Sequence, residues 1–349
     1  MKLLFRLIVG GLAAIAVLAI ALFLFFRFGP YHETYLCEHR TGQAQVDACT
    51  KVVAAANGSK LDWAYIDRGN GYIALREFGY AIDDLTKAIS MNPNSAPAHL
   101  DRGVAEVQIG ESDAAMKDFD AAVRLKPDFA LALRDRGMSY SRMGQMKRAL
   151  KDLDAALRIK PDDPLALLNR GVAYVALHRD ADAIRDYTEA LPLTHNSPPT
   201  FALRGAAYFD MKQYARALHD IEQSLRGEPT PAGFNMLCWT HAVMGQQLDA
   251  ALAACNRALA IAPDPALRVH EAALDSRAFV YFRMGKYKET LADTAAVLAI
   301  TPKQATSLYV QGLAELRLGD AAKGNGDIAA AEKLDPKIAA TYAGYGVKP

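Results

Sequence analysis

Apolar residues follow two patterns along this chain. The first is a single run, Leu7 to Phe26, reading LIVGGLAAIAVLAIALFLFF without a charge. At 1.5 Å rise per residue, a helix of that length covers about 30 Å, the hydrocarbon thickness of a bilayer. The run ends in LFLFFRFGP with no A-x-A site, so it predicts an anchor that stays attached rather than a cleaved signal peptide. Cys37 follows Thr-Tyr-Leu, which is not a lipoprotein cleavage box. The second pattern begins after Leu61. There, small apolar, aromatic and Pro residues recur with a period of 34, most clearly in units starting at Ala96, Ala130, Pro164 and Pro198.

Counting each unit from one, position 8 is Gly69, Gly103, Gly137, Gly171, Gly205 and Gly312. Position 20 is Ala81, Ala115, Ala149, Ala183, Ala217 and Ala251, and position 27 includes Ala88, Ala122, Ala156, Ala190, Ala258 and Ala331. Small residues at these places let two helices approach closely. Position 11 is often aromatic (Tyr72, Tyr140, Tyr174, Tyr208, Tyr281) and fills the space beside the contact. Gly110, Gly144, Gly285 and Gly319 at position 15 suit a helix end followed by a tight turn. Pro93, Pro127, Pro161, Pro229, Pro263, Pro302 and Pro336 at position 32 cannot continue a helix. Each unit is therefore expected to be two antiparallel helices and two turns.

Small, aromatic and Pro residues at these spacings resemble the tetratricopeptide repeat. With the apolar run ahead of them, the chain resembles membrane-anchored bacterial members of that family. The resemblance covers eight units from Asp62 to about Ile338, four fifths of the chain. It implies an all-α fold: a right-handed superhelical solenoid of helix-turn-helix repeats behind one N-terminal transmembrane helix. The expected organisation is an anchor at 1–27, a linker and N-terminal capping helix at 28–61, repeats at 62–338 and a C-terminal cap at 339–349. Gln45 to Val53 matches the second helix of a unit, and Lys337 to Tyr345 would close the other end. The pattern has departures. His195 replaces the Pro of unit four, one extra residue precedes Ala251, and about five lie near Ala266 to His270.

Charge adds a second register. Position 7 is Arg68, Arg102, Arg136, Arg170, Arg204 and Arg277; position 23 is Asp84, Asp118, Asp152, Asp186, Asp220, Asp293 and Asp327. The family usually has apolar residues at both. The sixth unit loses the two charges together, with Leu237 and Ala254 in their place, which points to contact between the positions. The Arg could meet the Asp of its own unit or that of a neighbour. In the same unit, Cys238 and Cys255 fall at positions 8 and 24, which face each other, and Cys37 and Cys49 flank a short segment. Two local disulfides are expected, as in an oxidising compartment. Lys2 and Arg6 before the apolar run outweigh Arg27 with Glu33 and Glu38 after it. The positive-inside bias then predicts a single-pass inner-membrane protein with a cytoplasmic N-terminus and periplasmic or otherwise extracytoplasmic repeats.

Composition narrows the function. Apolar residues make up 51% and the net charge is +1, which excludes a disordered chain and gives no basic surface for nucleic acid. No HExxH, CxxC, GxSxG or GK[ST] occurs and no nucleophile stands with a base, so neither an enzyme, a cofactor, a metal nor a small-molecule site is expected. The resemblance instead implies a concave groove, lined by first helices, that takes a protein or peptide segment. Its lining would be Leu100, Val104, Arg134, Met138, Arg142, Val172, Phe209, Trp239, Phe279 and Arg283. Ile66 and Leu100 stand where the family's carboxylate clamp needs Lys, so that clamp is not expected. The function implied is an envelope scaffold or adaptor, with a chaperone-like assembly factor as the alternative.

Overall fold

The computed structural model describes residues 30–55 and 61–348, and within them the regular elements are all α-helices. The expected anchor, Leu7–Phe26, lies outside the described residues. Among the described residues no helix is long and apolar enough to cross a membrane. The chain divides into two compact units at Pro161/Asp162. The first holds α1 (Pro30–His39), α2 (Gln43–Ala55), α3 (Asp62–Ala74), α4 (Phe78–Met91), α5 (Ala96–Gln108), α6 (Ser112–Leu125), α7 (Ala130–Arg142) and α8 (Met146–Ile159). The second holds α9 (Pro164–Ala176), α10 (Asp180–Leu193), α11 (Pro198–Asp210), α12 (Tyr214–Gly227), α13 (Pro231–Met244) and α14 (Leu248–Ile261). It continues with α15 (Arg268–Arg283), α16 (Tyr287–Ile300), α17 (Ala305–Leu318), α18 (Ala321–Leu334) and the short α19 (Ile338–Gly344). Helices pair into consecutive hairpins, and within each unit every hairpin packs on the next.

Local chemistry sets the helix ends. Ser95, Asp163, Thr230 and Asp320 accept backbone N–H groups of the first turn that follows them. The turn inside each of the eight repeat hairpins places position 15 in the left-handed region. Gly110, Gly144, Gly245, Gly285 and Gly319 take it freely, while Arg76, His178 and Lys212 hold φ of 63°, 57° and 57°. Where His195 replaces Pro, both His195 and Asn196 adopt positive φ to turn the chain. The extra residue before Ala251 goes into α13, which runs 14 residues where the first helices of the five preceding hairpins run 13, and Gly245 and Gln247 in the three-residue turn after it are both left-handed. The extra residues near Ala266 go partly into a loop and partly into α15, which runs 16 residues. Among the described residues of 28–61 there are two helices rather than one behind a linker: α1 pairs with α2 as a further hairpin.

The position-8 glycines meet large side chains of the second helix. A Cβ on Gly103 would lie 2.7 Å from the Phe119 ring, and one on Gly137 2.9 Å from Leu153. The close approach therefore seats a bulky position 24, not a pair of small residues. In the sixth hairpin Cys238 and Cys255 occupy those two places and are bonded to each other; Cys37 and Cys49 likewise join α1 to α2.

Beside this seam runs the charged one, and the pairs form inside each hairpin. Arg68–Asp84, Arg102–Asp118, Arg136–Asp152, Arg170–Asp186, Arg204–Asp220 and Arg277–Asp293 are all bidentate, Nε to one carboxylate oxygen and Nη2 to the other, at 2.6–2.9 Å. The remaining nitrogen reaches back to position 25 of the preceding hairpin. Arg102 donates to Thr86, Arg136 to Asp120, Arg204 to Thr188 and Arg277 to Asn256. One guanidinium thus fixes both the hairpin and its register on the one before. The eighth hairpin has Gln311 in place of Arg, and its amide donates to Asp327 at 2.6 Å.

Candidate functional site

In the first unit, the first helices of successive hairpins bring four of the expected groove residues together. Val104 of α5 with Arg134, Met138 and Arg142 of α7 line an open depression of about 170 Å³, completed by Val107, Gln108, Phe119, Asp135 and Ser139. These helices present positions 9, 12 and 13 side by side because hairpins stack with first helix against first helix. Val104, Val107 and Met138 form a half-buried apolar floor; Arg142 stands exposed at the rim. Arg134 donates through Nε to Asp135 at 2.8 Å, so its charge is held in place rather than swinging in solvent.

Leu100 does not line this groove. It is 4% exposed and belongs to a core cluster with Ala115, Phe119, Ala122 and Ala132. Position 5 of α5 points into the space between its own second helix and the next hairpin, so stacking covers it.

The same helices carry a row of acids at position 6: Asp67, Asp101 and Asp135. Burial, with Asp135 and Asp67 adding like charge, pushes Asp101 up to about 6 against an Asn70 hydrogen bond that opposes it. Burial and then Glu38 push Asp67 up to about 6. Glu106, on the helix that carries Val104, rises to about 7 through burial and then Asp118. Periodicity marked the ladder but not this row, because an Asp at position 6 looks like any solvated charge until neighbouring hairpins close over it.

In the second unit the expected lining residues meet different fates. Val172 is 38% exposed and Phe209 is half-buried against Tyr214, 5.4 Å between ring centres. Phe279 is wholly buried, which corrects its placement in an open groove. Trp239 and Tyr342 pack on it at 5.3 and 5.1 Å between ring centres, and Tyr345 packs on Trp239 at 6.0 Å. Arg283 is also engaged: Nη1 donates to the Tyr345 carbonyl at 2.9 Å, and the guanidinium lies over the Phe279 ring. Burial lowers its affinity for a proton without any compensating acid. The first-helix face here is covered by residues 338–348.

Among the described residues no three His, Cys, Asp or Glu side chains are placed to hold a metal. His99 bridges Asp118 and the Pro93 carbonyl, and His270 bonds the Ala262 carbonyl, both structural tasks.

Helical hairpins on a 34-residue period, glycine-seated and stacked first helix against first helix, define a helical-repeat protein. Residues 66–128 and 134–198 match the family model of the tetratricopeptide repeat, so this part of the chain carries repeats of that family. Repeats of this kind are typically scaffolds for protein–protein interaction. The fold is similar to that of Pseudomonas aeruginosa PilF, at 19% identity over 60% of this chain and 95% of that one, TM-score 0.54. It is also similar to a chain of the APC/C hetero-tetramer Cut9–Hcn1, at 12% identity, 90% and 61% coverage, TM-score 0.57. The C-terminal part of a repeat protein from Cytophaga hutchinsonii shares it at 18% identity, 71% and 98% coverage, TM-score 0.52. At these identities the likeness is one of fold. No curated protein matches the sequence.

Proposed function

We propose that this chain is a non-enzymatic scaffold that binds a polypeptide segment on the first-helix face of its first unit, while the run Leu7–Phe26 holds it at a membrane. The observation that carries the reading is the depression over Val104, Val107 and Met138, apolar at its floor and cationic at its rim. Half-exposed apolar side chains gathered at one place gain by being covered, and a segment with acidic residues would meet Arg142 as it does so. Export of the repeats is supported by the charge bias around the apolar run and by the two disulfides, which persist in oxidising compartments.

A photo-crosslinking side chain placed at Met138, and in parallel at exposed Tyr80 on the second helix α4, tests this in cells. Crosslinks from Met138 to defined polypeptide segments, with none shared by Tyr80, are expected. Equal yields at both positions would remove the groove from consideration. The same experiment separates the two functional readings. A scaffold gives a few recurring partners, and an assembly chaperone gives many.

A further inference from the structure

Residues 338–348 do more than end the last hairpin. They fold back along first helices α13, α15 and α17, onto the positions that form the open groove in the first unit. Trp239 and Phe279 are position 9 of their hairpins, Phe282 is position 12, and Arg283 and Arg317 are position 13; Tyr309, at the position Leu100 holds in its own hairpin, is buried beneath them. Tyr342 inserts among Phe279, Tyr309 and Tyr345, at 5.1, 5.0 and 5.7 Å between ring centres. Ile338 and Val347 are buried on either side of it. Gly346, at φ 77°, ends α19 so that the Val347 N–H bonds back to the Tyr342 carbonyl, and this reversal directs the last residues along the face. Arg283 then donates to the Tyr345 carbonyl and Arg317 to the Lys348 carbonyl.

Two features show that this occupant fits imperfectly. The Tyr342 hydroxyl is buried without a hydrogen-bond partner, as is that of Tyr309, and a buried unpaired hydroxyl weakens the complex that contains it. Both arginines bond neutral carbonyls, and among the described residues neither has a carboxylate partner. An acid in the same place would form a stronger, charge-assisted bond.

We propose that the face formed by α13, α15 and α17 is a second polypeptide-binding surface. Residues 338–348 serve as its internal occupant, and its partner is a helical turn bearing an aromatic residue, followed by an acidic one. The partner binds by displacing the internal segment, so the second unit is closed until a better-matched sequence arrives. This rests on the reading of the chain as a polypeptide binder but not on the groove of the first unit. Loss of crosslinking at Met138 would leave it standing.

The test uses the full chain and two labelled peptides, read by fluorescence anisotropy. One peptide has the sequence of residues 336–348 with an amidated C-terminus; the other, likewise amidated, carries Tyr342→Phe and Lys348→Asp. In the intact chain the tethered segment competes at an effective concentration near millimolar, so the first peptide binds weakly. Gly346→Ala with Val347→Ser in the full chain loosens the tether. It should raise affinity for the first peptide roughly tenfold or more, since an L-residue resists the left-handed turn. The second peptide should bind both chains more tightly than the first. Equal weak binding of both peptides by both chains, with helical content unchanged, overturns the proposal and leaves the segment a cap. If the variant loses helical content, hydrogen exchange on the unmodified chain decides. Amides of 339–347 must exchange at least tenfold faster than those of Tyr309–Leu316, because displacement requires the segment to open over an intact hairpin. Equal rates overturn it.

Discussion

The Arg204–Asp220 pair offers the sharpest test of what the charged ladder does. Asp220 is 1% exposed and Arg204 15%, the most buried pair of the series. Both carboxylate oxygens accept from the guanidinium, at 2.7 and 2.9 Å. Asp220→Ala leaves the cation with a single bond, to Thr188, and the faces of Phe201 and Tyr208. Breaking one side of a buried pair costs about 3–5 kcal/mol, and the residual ring contacts argue for the lower end, about 3. The combined change Arg204→Leu with Asp220→Ala recreates what the sixth hairpin carries naturally as Leu237 and Ala254. No charge is then left buried, and the double variant should lose only about 1 kcal/mol, less than either single variant. Each hairpin touches mainly its neighbours, so unfolding need not be all-or-none and one global midpoint would average the effect away. Native-state hydrogen exchange of α11 and α12 amides reads the local opening free energy instead. A coupling of at least about 2 kcal/mol is expected. Single effects that sum to the double within about 0.5 kcal/mol would refute the pairing as the source of register.

Three further outcomes follow from the geometry. Asp101, raised from 3.8 to about 6 in the folded chain, stabilises the fold when protonated; that contribution is complete below pH 3.8 and is lost as pH rises through about 6. Asp101→Asn should therefore stabilise the first unit at pH 7.5 by up to about 3 kcal/mol and change nothing near pH 4; a pH-independent effect in urea titrations would contradict this. Lys212→Gly relieves a left-handed residue at φ 57° and should add about 0.5–1 kcal/mol to the local stability of the α11–α12 hairpin, net of the extra freedom glycine has when unfolded, with destabilisation as the contrary result. Reducing Cys238–Cys255, which spans 17 residues, should cost about 3 kcal/mol and show first as faster exchange in α13 and α14, a hairpin with no ion pair of the ladder to hold it; uniform acceleration across the unit would count against that reasoning.

The hairpins and their ladder were legible because period, small residues and charge all repeat together. The joint loss of Arg and Asp in the sixth unit was enough to infer contact. It could not choose between pairing within a hairpin and across two, and the structure shows the guanidinium doing both, with the carboxylate at home and position 25 next door. The disulfides were readable for the same reason, since Cys238 and Cys255 stand in the seam that glycine and a bulky residue fill elsewhere. Groove exposure was much less legible. Leu100 and Met138 are both apolar residues on first helices, yet stacking buries one and leaves the other half open. Phe279 was misplaced because its cover comes from Tyr342 and Tyr345, more than sixty residues later, and nothing local to α15 announces it. Helix α1 carries no 34-residue signature, so beyond the expected Cys37–Cys49 bond its pairing with α2 emerges only from packing.

On the proposed function, the first unit binds polypeptide through the face over Met138. The most direct measurement takes the segment crosslinked at Met138, prepares it as a synthetic peptide, and titrates it into the full chain and into a Met138→Asp/Arg142→Glu variant. Arg142 is exposed and Met138 half-buried, so exchange of α7 and α8 amides, as well as melting, checks that the variant hairpin stays folded. Affinity should fall by about thirtyfold or more, the loss expected when a central contact of about 2 kcal/mol or more is removed. Unchanged affinity in a variant that folds and melts normally would contradict the claim.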